Sequence, residues 1–374
     1  MRPAEEEAAW QARLRDGGIP AGHEFAFAEF VLARVSRTFA LNIRVLPLPL
    51  RRHVLYAYLY CRMADTLEDD AKLDPSEKIR LLRLFASLFD EAPPNAAVAA
   101  MIRFPGELPE AWSESTQWEY VLLAHAPAVL RPFLDFPEAV RAVLSRCVRE
   151  MCLGMADFAA KHARAGGGYL IETLEDLDAY CYYVAGTVGL LLCDLFIRHA
   201  GIGPERARRL HGLCVSFGLG LQLTNILKDL HDDKDRDVSW LPGELLAAER
   251  LELHEFLNSP EARAGRRNVY GALFSKTRKH LEDALEYSCL IPRRNHRLRL
   301  FCLWPLLMAA ETLALLAERL DALVQGQRLK IPRDRVKAIV RRTSLFGWSN
   351  RWVRSEFRKP MARLEAALQT LAAT

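Results

Sequence analysis

The 374-residue sequence lacks the features that mark several common protein classes. Lysine and arginine number 51 against 47 aspartates and glutamates, so there is no excess of positive charge of the kind that nucleic-acid binders carry. The eight cysteines include no C-x-x-C pair, and several stand within apolar stretches, which favours reduced core thiols over a disulfide framework. The glycine triplet at 166–168 has neither the lysine nor the preceding strand of a P-loop.

A secretion signal and a long apolar run are also missing. The N-terminus carries a run of three glutamates and no basic segment followed by an apolar one, so we expect no signal peptide. The two most apolar runs, 183–197 and 300–310, contain an aspartate and a proline. Both fall short of the roughly 20 residues that a membrane-spanning helix needs. We therefore expect a cytoplasmic protein without a transmembrane helix.

No segment shows sustained strand-type alternation, whereas apolar residues recur at helical spacing along most of the chain. Hydrophobic residues make up 51% of the sequence, which is enough for a large core, and no linker divides it. We therefore predict an all-α protein with a single domain over residues 1–374. Within it, residues 1–23 are expected to form a loosely ordered N-terminal extension.

An acidic cluster follows one of the apolar helical runs. Residues 65–70 read Asp-Thr-Leu-Glu-Asp-Asp, directly after the run 54–64. On a helix, Asp65 and Asp69 lie one turn apart on one face, and Arg62 precedes them on that face. Such carboxylates repel each other unless a cation lies between them, and they also meet the negative end of the helix dipole. Alone, this pattern is more typical of a solvated helix end than of a metal site.

A second acidic stretch favours a metal site over a solvated helix end. Gln222, Asn225, Asp229 and Asp233 are spaced three, four and four residues apart, so they form a polar stripe at the end of a largely apolar helix. Two acidic helix ends, each after a core-like run, indicate carboxylates that face one another across a cavity. Hard oxygen ligands of this kind suit Mg²⁺, with Mn²⁺ as the alternative metal, and Mg²⁺ binds phosphate groups through one or two carboxylates.

A third informative stretch covers residues 174–199. One helical face repeats every four residues and comprises Tyr180, Val184, Val188 and Leu192. Gly186 and Gly189 each cost about 1 kcal/mol relative to alanine in a helix, so they indicate that another helix or a ligand approaches closely. A helical tyrosine is more often structural than catalytic, but Tyr180 heads an apolar stripe suited to the wall of a pocket.

Near the N-terminus, Ser36 and Arg37 follow a helical pattern over residues 24–34. Serine is a common helix cap, which is one interpretation of Ser36. The alternative is that Ser36 and Arg37 donate hydrogen bonds to a diphosphate. The residues alone leave both alternatives open.

Three of these stretches resemble signatures of the squalene/phytoene synthase family, the head-to-head class of isoprenoid synthases. They are Asp-Thr-Leu-Glu-Asp-Asp (65–70), Tyr-Cys-x-Tyr-Val-Ala-Gly (180–186) and Gln-x-Thr-Asn-Ile-x-x-Asp (222–229), in the order of the family. The resemblance extends from about Ser36 to Leu345. Met-Ala-Asp-Phe at 155–158, with Lys161-His162 beyond it, is more similar to the squalene-forming than to the phytoene-forming members.

The resemblance implies a class I isoprenoid (terpenoid) synthase helical bundle with a central active-site cavity. It implies that Mg²⁺ binds the diphosphates of two farnesyl diphosphates, and that presqualene diphosphate forms first and is then reduced by NADPH. Metal neutralisation is chemically required, because a diphosphate leaves poorly until its charge is screened. The implied catalytic and metal-binding residues are Tyr180, Asp65, Asp69, Asp229 and Asp233, with Tyr180 removing the proton.

The resemblance also implies the remaining contacts. Substrate-binding residues are expected at Ser36, Arg37, Phe39, Arg62, Val184, Val188, Leu192, Gln222, Asn225 and Phe301. Nicotinamide contacts are expected at Ser36, Arg37, Arg62, Asn225, Lys228 and Lys330. The sequence departs from the family at Lys228, where arginine is common, and at Pro332, where a further basic residue is expected. The reductive step therefore rests on the resemblance alone.

Three other functions remain as alternatives. A dehydrosqualene or phytoene synthase would make the same cyclopropyl intermediate without a reductant. A non-catalytic helical assembly factor would be expected to have lost acidic residues that this chain keeps. A metal phosphohydrolase built on His231 and Asp232 lacks evident partner histidines.

The C-terminal stretch 350–371 is amphipathic, with arginines among apolar residues. It suits either peripheral contact with an anionic membrane surface or packing against the bundle. The expected partner is farnesyl diphosphate, with no nucleic acid, and the sequence leaves the oligomeric state open.

Overall fold

A computed structural model describes residues 3–15, 18–113, 115–165, 168–169, 171–234 and 238–373. Within these ranges nearly all regular structure is helical, and the strands number two, each of two residues. The all-α prediction is confirmed. The chain divides into two compact units, an N-terminal unit of residues 1–156 and a C-terminal unit of residues 157–374. The single domain over residues 1–374 stays a prediction.

The N-terminal unit is built from short and medium helices around one long helix. Its described α-helices are α1 (Pro3–Arg15), α2 (Glu24–Val35), α3 (Arg37–Arg44), α4 (Leu50–Asp69), α5 (Pro75–Ser87), α6 (Pro94–Arg103), α7 (Glu110–Ser113), α8 (Trp118–Ala124) and α9 (Ala126–Leu130). Two 3₁₀ turns occupy Phe104–Glu107 and Arg131–Asp135. A further helix, α10 (Glu138–Ala165), begins in this unit and ends in the next.

The long helix α4 is the core of the N-terminal unit. Its buried side chains include Tyr56, Leu59, Tyr60 and Met63, all fully enclosed. The hydroxyl of Tyr60 donates to the carbonyl of Val129 in α9 at 3.1 Å, which satisfies a polar group that would otherwise be costly to bury. The apolar run recognised in the sequence therefore anchors the helix that ends in the first acidic motif.

The N-terminal helix α1 packs against this unit. Trp10 is 5% exposed, and its ring lies 5.5 Å from that of Phe27 and 5.6 Å from that of Phe30. Glu7 accepts hydrogen bonds from Arg34 and Trp118. A loosely ordered extension over residues 1–23 is therefore wrong for residues 3–15, because the tryptophan buries its indole in the core.

The C-terminal unit contains the longest helices. They are α11 (Leu174–Cys181), α12 (Thr187–Ala200), α13 (Pro204–Lys234), α14 (Gly243–Ala248), α15 (Leu253–Asn258), α16 (Arg263–Leu290), α17 (His296–Glu318), α18 (Leu320–Val324), α19 (Arg333–Phe346) and α20 (Asn350–Ala373). A π-helical turn, Tyr182–Gly186, joins α11 to α12, and a 3₁₀ turn occupies Pro260–Ala262. The strands β1 (Gly168–Tyr169) and β2 (Val238–Ser239) pair in parallel, Gly168 with Val238 and Tyr169 with Ser239.

Glycines set how closely α13 approaches the helix before it. A Cβ atom on Gly189 would lie 2.2 Å from the carbonyl oxygen of Cys214, and one on Gly218 would lie 2.3 Å from that of Ala185. Both distances are far below van der Waals contact, so only glycine permits this backbone-to-backbone packing. The close approach that the sequence indicated is confirmed, and the partner is a helix.

The C-terminal helix α20 uses its apolar face inside the fold. Its buried side chains are Val353, Phe357, Met361 and Leu364. Arg354 pairs with Glu286, and Arg363 pairs with Glu318 at 2.8 Å. Packing of this helix against its own unit is confirmed, and membrane contact through the same face would require these side chains to leave the core. Contact of the protein with a membrane surface stays a prediction.

Among the described residues, three helical stretches are long and apolar enough to cross a membrane, judged by length and composition alone. They are Leu174–Ala200, Pro204–Leu230 and His296–Glu318. The expectation that no helix reaches this length is wrong, because Asp194 and Pro305 lie inside continuous helices instead of ending them. The most apolar windows of the three stretches are 44%, 56% and 83% buried inside the fold, so the third is mainly a core helix.

The close packing at Gly189 predicts opposite effects for two glycine substitutions. Gly189→Ala should lower the midpoint of thermal unfolding, because its Cβ would overlap the Cys214 carbonyl and overpacking costs about 1–3 kcal/mol. Gly212→Ala in α13 should raise the midpoint, since nothing lies within 4 Å and alanine is favoured by up to about 1 kcal/mol. Thermal unfolding followed by circular dichroism measures both. Equal shifts for the two variants would contradict the close-packing explanation.

Candidate active site

The first acidic motif divides into two outward-facing carboxylates and one structural carboxylate. Asp65 keeps 37% of its side chain exposed, and Asp69, the last residue of α4, is exposed. Asp70 is 7% exposed and accepts hydrogen bonds from the backbone of Lys72 at 2.7 Å and of Leu73 at 3.0 Å. The Tyr120 hydroxyl also donates to Asp70 at 2.7 Å. Asp70 therefore closes the turn after α4, while the side chains of Asp65 and Asp69 keep exposed surface.

Asp65 lies in an environment that disfavours its negative charge. Burial raises the pKa of its carboxyl to about 7, against the opposing effect of Arg62, and the carboxylate of Asp69 adds to the rise. The guanidinium of Arg62 lies 3.9 Å from Asp65, too far for a hydrogen bond. A divalent cation beside these oxygens would favour the charged form. The donor set of Asp65 and Asp69 therefore fits a hard cation such as Mg²⁺.

Ser36, at the start of α3, and Arg62, on α4, are two further polar residues predicted for the site. Ser36 caps α3 and accepts a hydrogen bond from the backbone of Phe39 at 3.3 Å, so the helix-cap interpretation is confirmed. Arg62 donates to the carbonyl of Val35 at 3.1 Å. The side chain of Arg37 lies outside the described residues.

Two aromatic side chains and one acidic side chain lie beside these polar residues in the N-terminal unit. Phe39 is 37% exposed, and its ring lies 5.1 Å from that of Tyr58. Glu119 of α8 lies 4.0 Å from Arg62. Neither Tyr58 nor Glu119 was predicted from the sequence as a site residue. Tyr58 stands four residues before Arg62 on the same helical face, so helical spacing would have found it, whereas no local pattern points to Glu119.

In the C-terminal unit, Tyr180 is held by aromatic rings. It is 5% exposed, and its ring stacks on that of Trp240 with 3.7 Å between centroids and 17° between planes. Phe158 meets Tyr180 edge-on at 5.4 Å. These contacts leave the phenol little freedom to rotate. Trp240 was not predicted as a site residue, because it lies sixty residues from Tyr180 in a loop segment.

The apolar stripe predicted after Tyr180 does not continue with uniform α-helical spacing. The π-helical turn Tyr182–Gly186 offsets the residues that follow it, because π-type hydrogen bonds span one residue more than α-type bonds. Val184 is half-buried and packs against the core, and Val188 and Leu192 are also half-buried. Phe301 is 6% exposed and meets Phe196 edge-on, so it lies in the core.

The second acidic motif lies on the open side of α13. Its opposite side is buried through Leu223, Ile226, Leu227 and Leu230. Gln222 and Asp229 are half-buried, and Asn225 is exposed. The polar stripe predicted from the spacing is thus present as far as Asp229.

Lys228 links two members of that stripe. Its amino group lies 2.9 Å from Asp229 and donates to the Asn225 side chain at 3.4 Å. The side chain of Asp233 lies outside the described residues, as does that of His231. Lys330 is exposed between α18 and α19.

Comparison with known proteins places the chain among isoprenoid synthases. The squalene/phytoene synthase family profile matches residues 32–335. The squalene synthase of Schizosaccharomyces pombe is 30% identical over 291 residues, which cover 76% of this chain and 58% of that protein. Squalene synthase 1 of Arabidopsis thaliana is 29% identical over 315 residues, covering 79% and 66%. The chain spans about three fifths of the length of the curated relatives it matches.

Solved structures show the same fold. A ligand complex of TcSQS has a TM-score of 0.75 and 24% identity, and covers 93% of this chain and 96% of that one. A dehydrosqualene synthase in complex with a ligand has a TM-score of 0.51 and 21% identity, and covers 92% and 98%. The predicted class I isoprenoid synthase fold is confirmed.

Because Asp70 is buried and hydrogen-bonded whereas Asp69 is exposed, we predict that replacing them has different effects on the stability of the protein. Asp70→Ala should lower the thermal unfolding midpoint, because it removes the acceptor of three part-buried hydrogen bonds, each of which contributes about 0.5–1.5 kcal/mol. Asp69→Ala should leave the midpoint unchanged or raise it, since it removes a negative charge close to Asp65. Unfolding at pH 8 in EDTA measures both. A loss of stability in Asp69→Ala equal to that in Asp70→Ala would contradict the assignment.

Proposed function

The chain belongs to the squalene/phytoene synthase family, and from this membership we propose that it condenses two molecules of farnesyl diphosphate head to head into presqualene diphosphate. We further propose that it then reduces presqualene diphosphate to squalene with NADPH. The observation that carries the proposal is the outward-facing pair Asp65 and Asp69 at the end of a buried helix. Such a pair has no use for an apolar substrate unless a cation links it to a diphosphate.

The polar side chains of the two acidic motifs and their neighbours are assigned to the diphosphates. Mg²⁺ would be held by Asp65, Asp69, Asp229 and Asp233, where it would screen the charge of the leaving group. Arg62 and Ser36 donate hydrogen bonds to phosphate oxygens, and the N-terminus of α3 adds a favourable dipole. Gln222 and Asn225 donate amide hydrogens from the open side of α13.

The apolar groups are assigned to the farnesyl chains. Departure of one diphosphate leaves an allylic cation, and the double bond of the second farnesyl group attacks it. Water would quench this cation, so the wall must be apolar. Phe39, Val184, Val188 and Leu192 present partly exposed apolar surface for this purpose, and Phe301 supports the wall from the core.

Tyr180 is assigned to the loss of the proton that closes the cyclopropane ring. A phenol with a pKa near 10 is a weak base. The proton beside a carbocation is very acidic, so a weak base suffices if it is held within hydrogen-bond reach. The stack on Trp240 and the edge contact with Phe158 hold the ring in place. The released diphosphate then accepts the phenol's own proton.

The reductive half is assigned to polar and basic residues. Ser36, Arg37, Arg62, Asn225, Lys228 and Lys330 would contact NADPH. A dehydrosqualene synthase would need no reductant. The relatives near 30% identity are named squalene synthases, which supports the reductive product.

Analysis of the products distinguishes a squalene synthase from a dehydrosqualene synthase. With farnesyl diphosphate, Mg²⁺ and NADPH, we expect squalene, and without NADPH we expect presqualene diphosphate to accumulate. Gas chromatography of the hydrocarbons, with phosphatase treatment to recover the alcohol of the intermediate, measures both. If dehydrosqualene formed in equal amounts with and without NADPH, the proposed reduction would be wrong, whereas the proposed condensation would still stand.

The acidic residues and the metal should both be required for condensation. Asp65→Ala and Asp229→Ala should each abolish consumption of farnesyl diphosphate while circular dichroism shows unchanged helical content. Asp90→Ala, which removes a surface ion pair with Arg149, is the matched control and should keep full activity. Substantial turnover in EDTA would refute the metal assignment.

Tyr180→Phe separates the condensing step from the reductive step. The substitution keeps the ring and its stack on Trp240 and removes only the hydroxyl. The variant should bind farnesyl diphosphate and fail to form presqualene diphosphate, while retaining more activity when presqualene diphosphate and NADPH are supplied. An equal loss in both half-reactions would show that the hydroxyl is not specific to the first step.

A further inference from the structure

Three side chains of the types that ligate metal ions meet in the C-terminal unit, away from the acidic motif. Cys193 of α12 and His211 and Cys214 of α13 have ligand atoms that all lie within 4.8 Å of one another. Cys214 precedes Asp229 by 15 residues on α13, which places them about 22 Å apart along the helix at 1.5 Å per residue. The cluster is therefore separate from the site proposed for the diphosphates.

The backbone packing of α12 on α13 produces this cluster. Gly189 lies against the carbonyl of Cys214 and stands one helical turn before Cys193, so Cys193 points towards α13. His211 and Cys214 are three residues apart and share a face of α13. The three side chains are thus fixed by two long helices in glycine contact, and their positions do not depend on a loop.

The immediate surroundings suit a bound cation. Both cysteines are buried, at 0% and 1% exposure, whereas His211 is exposed and leaves one side open to solvent. The Cys214 thiol donates a hydrogen bond to the backbone carbonyl of His211 at 3.3 Å. Nε2 of His211 lies 3.2 Å from Asp194, so a carboxylate orients the ring. Hydrogen bonds of this kind to ligating side chains are usual around protein metal ions.

We propose that Cys193, His211 and Cys214 bind a zinc ion, with water in the fourth position on the exposed side. Zinc prefers four tetrahedral ligands drawn from cysteine sulfur and histidine nitrogen, and thiolates select it over Mg²⁺. Binding forms two Zn–S bonds and releases one proton from each thiol. The ion would clamp α12 to α13 and so stabilise the helix contact on which the segment after Tyr180 depends.

Cobalt titration of the reduced full-length protein tests the proposal. Excess Mg²⁺ is present to occupy the carboxylates. We expect a thiolate-to-cobalt charge-transfer band and the visible bands of tetrahedral Co²⁺, saturating at one ion per chain and abolished by zinc. Zinc should also raise the thermal unfolding midpoint. Absence of the charge-transfer band in the reduced protein would overturn the proposal. It would do so even if mass spectrometry had found a Cys193–Cys214 disulfide in the protein before reduction.

Matched variants locate the ion. His211→Asn changes an exposed residue, so the fold should persist while zinc affinity falls at least tenfold. Cys193→Ser and Cys214→Ser should each weaken the charge-transfer band. Cys289→Ser and His199→Asn remove the same side-chain types outside the cluster and should bind zinc like the unaltered protein. Equal losses in the control variants would overturn the assignment. Because the measurement is metal binding, failure of the proposed synthase activity would leave this result unaffected.

Discussion

The contact of the Ala185–Gly189 backbone with α13 is the constraint on which the C-terminal unit depends. Cβ atoms at Gly189 and Gly218 would overlap carbonyl oxygens, so the two backbones touch with no side chain between them. The helix α13 is thereby aligned along the segment that follows Tyr180. One end of α13 then presents the acidic motif, and the other end carries two members of the cysteine–histidine cluster. Small residues at one crossing thus organise both candidate sites of this unit.

A different constraint governs the end of α4, where negative charges accumulate. The fold uses Asp70 to satisfy backbone donors in the turn and directs Asp65 and Asp69 outwards. Burial raises the pKa of Asp65 to about 7, so the protein maintains a carboxylate in surroundings that disfavour its charge. A carboxylate in such surroundings costs free energy that a neutral side chain at position 65 would not. The arrangement is explained if a cation and its phosphate ligand complete the site.

The two candidate metal sites have opposite chemical preferences. Carboxylate oxygens on the open side of α13 suit a hard cation that keeps its waters and exchanges with substrate. Buried thiols beside His211 suit a softer ion that stays bound and restrains the helices. In the two proposals, one helix therefore serves a catalytic and a structural ion without competition between them. The separation of about 22 Å along the helix keeps their charges from interacting strongly.

Features that depend on neighbours along one helix were available from the sequence. The shared face of Asp65 and Asp69, the polar stripe from Gln222 to Asp229 and the close approach at Gly189 all follow from local spacing and side-chain size, whereas the sequence left the cap at Ser36 open. Tertiary packing decided the rest. The stack of Trp240 on Tyr180, the place of Glu119 beside Arg62 and the meeting of Cys193 with Cys214 join residues on different elements. Local periodicity carries no information about such pairs, because packing energy alone selects them. The same reason explains why α1 is ordered, since Trp10 finds its partners in another helix.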